Sequence, residues 1–351
     1  MSVQNLVLAL LLAGVGAAAS AQQTPWHHQA RLQLGVEQDS NIKESAQGTQ
    51  AAPSLRLLLD LGARRQLATG TVHLSLQGGC QAYWQHVDED KVVGELRAGA
   101  AWPVGSKCSL GARASLRLKS FLREGPDYHH FSLAAFAQTR LPAQTALGLS
   151  CTRERLDYAA SSIYDTDGWN TEVTVTRPLT AWVSAVVILG TQHWSLDRPA
   201  FAYDRDRKEW QALPQQHVDR VMSGGGRLEL HTCGQWAIAY FYEKCSSNSY
   251  GYSFCRHRVS LLAGVDLSRR DLLRIYALLQ RKRYEEAAYP ALPLGLDTER
   301  EQSNVLVLDL SHTLANGYTA ILRLARYDNE SLVRGRYYQK SVVSLSFERR
   351  L

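Results

Sequence analysis

The sequence predicts an all-β chain, a closed antiparallel transmembrane barrel of about sixteen strands. Three observations predict it. Segments with a period of two, apolar on one face and polar on the other, recur along the chain and run longer than the five or six residues usual in soluble sheets. The connections between them alternate between short and long. After residue 21 no apolar run approaches the length of a membrane helix, and mean hydropathy over the 351 residues is only −0.25. A barrel alternating lipid-facing and lumen-facing residues cancels its own hydropathy, so this average does not exclude a membrane.

Lys107 to Lys119, "KCSLGARASLRLK", shows the pattern most plainly. One face carries Lys107, Arg113, Arg117 and Lys119; the other carries Cys108, Leu110, Ala112, Ala114, Leu116 and Leu118. Such a strand suits a wall with lipid on one side and water on the other.

In order along the chain, residues 1–21 read as an export signal and 22–351 as the barrel. An apolar core from Leu6 to Ala19 leads to Ala19-Ser20-Ala21, a small-x-small cleavage pattern, with Gln22 as the expected mature start. Strands are then expected near 28–40, 53–63, 69–85, 91–103, 106–121, 129–141, 143–157, 168–178, 181–195, 218–232, 234–246, 254–268, 270–285, 300–313, 317–329 and 335–348. Ser54 to Leu61 sets Leu55, Leu57, Leu59 and Leu61 against Arg56 and Asp60. Short turns fall at "PVGS", "LPAQ", "RPLT", "TCGQ", "SRRD" and "ANGY", and Asn316-Gly317 is a strong two-residue hairpin signal. Long connections fall at 41–52, 158–167, 196–217 and 286–299. The third has the length to fold into the lumen as a constriction. Trp84, Trp102, Trp169, Tyr240, Tyr242, Tyr337 and Phe347 lie near strand ends, where interfacial aromatics belong.

Two stretches carry a resemblance. "GVEQDSNI" (Gly35 to Ile42) and "YDNESLVRGRYYQKSVVSLSFERRL" (Tyr327 to Leu351) are similar to the opening and closing hairpins of Gram-negative outer-membrane barrels attached to secretion systems. Those include exopolysaccharide exporters and surface-lipoprotein assembly modifiers. The resemblance implies an outer-membrane location, export of an anionic polymer such as an exopolysaccharide, and periplasmic machine components and outer-membrane lipid as partners. The chain departs from it in carrying no helical-repeat domain and in running past Phe347 to Leu351.

Parity places Arg97, Arg113, Arg117, Lys119, Arg256, Arg258, Arg274 and Tyr276 inside the barrel, as a candidate track for an anionic solute or polymer. Inward acids include Glu37, Asp60, Glu95, Glu172, Glu229, Glu243, Asp266 and Asp309, so ion pairs bracing the wall are the competing reading. Tyr83 and Trp182 are expected to point inward as well.

The net charge of +6 suits an anionic partner or lipid surface, and nothing points to nucleic acid. Of six cysteines none forms a CxxC pair; Cys245 and Cys255 flank a hairpin tip and are the candidate disulfide. No GxSxG, phosphate loop or HExxH occurs, and no cofactor, metal or enzyme activity is expected. The nearest approach to a catalytic constellation is His193 and Ser195, two apart with Asp197 following. His129-His130 and "HVDED" at 86–90 are the nearest approach to a cation site. Three function classes remain: an export channel, a general or anion-selective diffusion porin, and a non-conducting scaffold.

Overall fold

The computed structural model describes residues 25–44, 48–123, 125, 127–204, 206–232, 234–286, 304–329 and 338–351. The expected signal at 1–21, Tyr337, and most of the 286–299 connection lie outside these residues.

Sixteen strands follow one another around a closed antiparallel barrel. They are β1 (His27–Asp39), β2 (Ala52–Leu67), β3 (Gly70–Tyr83), β4 (Lys91–Val104), β5 (Cys108–Phe121), β6 (Tyr128–Arg140), β7 (Ala146–Tyr158) and β8 (Thr166–Pro178). The second half comprises β9 (Val183–Asp204), β10 (Glu209–His231), β11 (Gly234–Ser247), β12 (Phe254–Asp266), β13 (Asp271–Tyr284), β14 (Asn304–Thr313), β15 (Tyr318–Asn329) and β16 (Tyr338–Arg350). Closure is made by β1 on β16, from Arg31 opposite Arg350 to Asp39 opposite Val342. At this seam the chains approach so closely that a Cβ on Gly35 would meet the Cβ of Ser346 at 2.5 Å, a position that only glycine fills without displacement.

The polarity of the molecule is inverted. Leu34, Leu149, Leu189 and Leu279 are 49–63% exposed, whereas the fully buried side chains include His217, Asn41, Asp39 and Ser54. Water would penalise so much aliphatic surface by about 25 cal/mol per Å²; a hydrocarbon surround removes the penalty and leaves the polar groups to pair inside. Trp84, Trp102, Trp169, Tyr240, Tyr242 and Phe347 are all exposed.

Connections at one rim are tight. Asn316 and Gly317 have φ of 59° and 77°, the left-handed pair that the Asn-Gly signal predicts. At the other rim the connections are longer, and three of them share a device absent from the expectations. The aromatic residue ending the rising strand donates its N–H to an aspartate just before the returning strand: Tyr83 to Asp90 (2.6 Å), Phe121 to Asp127 (2.6 Å) and Tyr158 to Asp165 (2.7 Å). Each aspartate's carbonyl then accepts an N–H from the next hairpin, from Leu122, Ala159 and Asp197 respectively. These carboxylates and carbonyls chain neighbouring loops together around the rim. Asp165 sits in the β7–β8 loop, where burial holds its carboxyl above the usual range.

The 196–217 connection corrects the sequence reading. It is not an in-folded loop. β9 and β10 run on as a paired hairpin to Asp204 opposite Glu209, with register shifts between Ala212 and Gln216 and at Gln216/His217. Pro199 and Pro214 make the stretch read as loop, yet the extra residues absorb Pro214 in an irregularity, where a missing N–H costs little.

Candidate functional site: the lumen wall

Because side chains alternate, the register fixes which residues line the lumen. Arg97, Arg113, Arg117, Lys119, Arg256, Arg258, Arg274 and Tyr276 share its face, since they stand opposite one another or opposite other lumen residues across successive pairs. Tyr276, 39% exposed, lies between Leu262 and Val307. Tyr83 also faces inward, but Trp182 lies in the β8–β9 turn, off the wall.

The cations fall into two arrangements. On β12–β15 they are clamped. Glu243 accepts from Arg256 Nε at 2.6 Å and lies 3.4 Å from Arg258. Asp309 accepts from Arg323 Nε and Nη2 at 2.7 and 2.8 Å, with Arg274 3.7 Å away. On β4–β5 the balance differs. Lys91, Arg97, Arg113, Arg117 and Lys119 face the lumen on two strands whose inner face carries one acid, Glu95. Glu95 accepts from Arg97 at 2.8 and 2.6 Å and lies 3.5 Å from Arg117. Arg113 rests on the Phe136 ring at 4.9 Å, and Lys119 lies 5.3 Å from the Phe121 ring. Arg113 forms no ion pair among the described residues.

Sequence reading missed a third cluster at the long-loop rim. Lys340 is bound to Asp39 at 2.7 Å and to Glu44 at 3.4 Å. Ile42, on the same β1–β2 connection, packs on Ala52 and Tyr83, turning this end of the connection against the wall. Between Lys340, Glu44, Arg56, Arg323 and Tyr327 lies a cavity of about 220 Å³. The signal was present, since Lys340 alternates with Val343 and Leu345, but its partners come from the far end of the chain.

The remaining candidates disperse. Lys244 stands opposite Cys255, and Cys245 opposite Phe254, so the two cysteines point to opposite faces of the wall. The expected bridge does not form there; side chains diverging in this way cannot satisfy disulfide geometry. His193 and Ser195 face outward, His193 opposite Arg220. His129 and His130, being adjacent, face outward and inward respectively, and Asp90 of "HVDED" is the rim clamp of Tyr83. No metal-holding group of His, Cys, Asp and Glu occurs among the described residues.

One buried network was hidden inside the misread 196–217 stretch. Arg198 Nε donates to His217 Nδ1 at 3.1 Å and its guanidinium lies over Tyr252 at 5.1 Å. His217 Nε2 faces Asp219 at 2.9 Å and Ser247 at 3.1 Å. A hydrolytic relay needs the acid and the serine on different ring nitrogens; here both share one, so the histidine is a strut between β9, β10 and β11. Burial raises the Tyr252 hydroxyl above its ordinary range.

A closed sixteen-stranded wall, aliphatic outside and charged inside, defines a β-barrel of the Gram-negative outer membrane. Among solved structures the chain is similar to OccAB1 of Acinetobacter baumannii (TM-score 0.51, 9% identity, 95% of this chain and 99% of that one). It is also similar to the outer membrane protein opdK from Pseudomonas aeruginosa (0.49, 9%, 93% and 99%) and to a bacterial polysaccharide outer membrane secretin (0.46, 11%, 92% and 98%). At these identities the likeness concerns the fold. No family model and no curated protein matches the chain.

Proposed function

We propose that the barrel is an outer-membrane channel whose lumen favours anionic solutes. The observation that carries this is the β4–β5 strip, where Arg97, Arg113 and Arg117 face the lumen and Glu95 is the one inward acid of the two strands. Charges on a confined, low-dielectric wall act on passing ions more strongly than in bulk water. Export of an anionic polymer would call for open cationic sites repeated along the path. The clamping of Arg256, Arg258, Arg274 and Arg323 on Glu243 and Asp309 favours a diffusive channel over such a track.

The test is reversal potential in a planar bilayer across a salt gradient. Purified barrel should prefer anions, and the preference should shrink as salt rises and screens the wall. Arg113→Ser with Arg117→Ser should reduce it and leave the barrel folded. Cation selectivity, or an unchanged double variant, would overturn the reading. Block of the current by a sulfated polysaccharide that is itself carried across would move the permeant to the polymer class. Absence of any conductance would leave the scaffold role.

A further inference from the structure

Cations also occur on the outside of the barrel near the long-loop rim, and on β7 and β15 they are neutralised. Arg153 pairs with Asp167, Arg155 with Asp157 at 2.8 Å, and Arg326 with Asp328 at 3.4 Å. One face differs. On β10–β13, Arg220, Arg281 and Arg283 are exposed and form no ion pair among the described residues. Among the described residues Lys244 pairs only with the exposed Glu285, at 3.9 Å. Register brings three of the four together: Lys244, Cys255 and Arg283 stand side by side on adjacent strands, with His257 beside Arg281 in the neighbouring row.

What lies next to this patch, toward the tight-turn rim, is equally specific. Tyr242 and Tyr240 follow Lys244 along the outer face of β11. Their rings are fixed against His257, the Tyr242 ring 5.2 Å from it and the Tyr240 hydroxyl 2.8 Å from its Nδ1. Beside the tyrosines on β10 stand Gly224 and Gly226, and on their other flank Leu189 and Val187 of β9. The two glycines present bare backbone between rings on one side and aliphatic side chains on the other, a groove narrowed by Leu189, whose Cδ2 lies 3.4 Å from where a Cβ on Gly224 would stand. Leu279, 63% exposed, continues the apolar surface below Arg281.

We propose that this face binds a phosphorylated glycolipid of the external leaflet. Its phosphates meet Lys244, Arg281 and Arg283, its sugar lies over the tyrosine pair, and an acyl chain runs along the glycine groove. Charge complementarity selects this occupant: guanidinium groups match phosphate in charge and in hydrogen-bond geometry. A second copy packed here by a two-fold axis would bring the same cations against one another, which an isologous contact disfavours.

The test is a titration of the full barrel in detergent, followed by native mass spectrometry. The probe is a hexa-acylated glucosamine disaccharide bearing two phosphates, compared with the same lipid after both phosphates are removed. The phosphorylated probe should bind, and Lys244→Ser, Arg281→Ser and Arg283→Ser together should weaken it by about a hundredfold, roughly fivefold per cation. Arg153→Ser with Arg155→Ser, which removes neutralised cations, should leave binding unchanged. Gly224→Leu should weaken retention of the acyl chains while the barrel still migrates as a folded species. Equal affinity for the phosphate-free lipid, an unaltered triple variant, or an equal loss in the Arg153/Arg155 control overturns the proposal. Displacement by inorganic phosphate at equal concentration would reassign the cations to a free anion, and a dimer that buries Tyr240 would reassign the groove to a second copy.

Discussion

Glu95 is the residue on which the charge of the β4–β5 strip turns. It is largely enclosed, its side chain 14% exposed, and it answers both Arg97 and Arg117. Its removal therefore releases two cations into the lumen at once. Glu95→Gln keeps the shape and should raise anion preference in reversal-potential measurements, the opposite direction from loss of Arg113 and Arg117. A fall instead would mean that the two arginines turn to another acid or to the backbone when freed. Which strand residues face inward was legible in the sequence, because parity follows from the pleat alone, but parity fails at a turn residue such as Trp182. Which cation answers which acid was not. Glu95 and Arg117 lie on different strands, and their pairing depends on the register of the β4–β5 hairpin. The cysteines make the same point: Cys245 and Cys255 flank one tip at an inviting spacing, yet a one-residue offset sends their sulfurs to opposite faces.

At the scale of elements, the strands were legible wherever one face contacts lipid, because that contact enforces strict alternation. They were misread where the wall leaves the bilayer. β9 and β10 extend past Leu196 and His217 into a stretch whose charges and prolines carry no such pattern, and there the pairing is held by Arg198, His217 and the docked Ser249–Tyr252 turn instead. The aspartate clamps were equally invisible, since an aromatic residue followed by an aspartate six or seven positions later is too common to stand out. They make a definite prediction. Asp165→Ala leaves the Tyr158 N–H without its acceptor, a local cost of about 1–3 kcal/mol if the group stays enclosed. Residues 159–165 should then be cleaved faster by protease in the folded barrel, with the wall itself unaffected and Asp165→Asn largely restoring protection. Equal cleavage of wild type and the alanine variant would show that the carbonyl of residue 165, which still accepts from Asp197, is enough to hold the loop.

For the whole molecule, an even strand number places both described ends of the barrel, β1 at His27 and β16 at Arg350, on the rim of tight turns. The opposite rim carries the clamped loops, the tall β9–β10 hairpin and the Lys340 cluster. In barrels of this membrane the short turns lie on the periplasmic side and the longer connections outside, and the phosphorylated-lipid face proposed on β10–β13 requires the same polarity. An epitope inserted beside Asp206, at the tip of the hairpin, should therefore be labelled on intact cells. The same epitope beside Gly105, in the β4–β5 turn, should be labelled only after permeabilisation. Both sites are suited to insertion: Gly105 has φ of 67° and open space around it, and the hairpin tip lies beyond the last paired residues, Asp204 and Glu209. Reversed labelling would turn the barrel over and would place Arg281 and Arg283 in the inner leaflet, where the proposed external glycolipid does not reach. The two measurements constrain each other: lipid retention by those arginines and surface labelling at Asp206 must agree, because one rigid wall carries both.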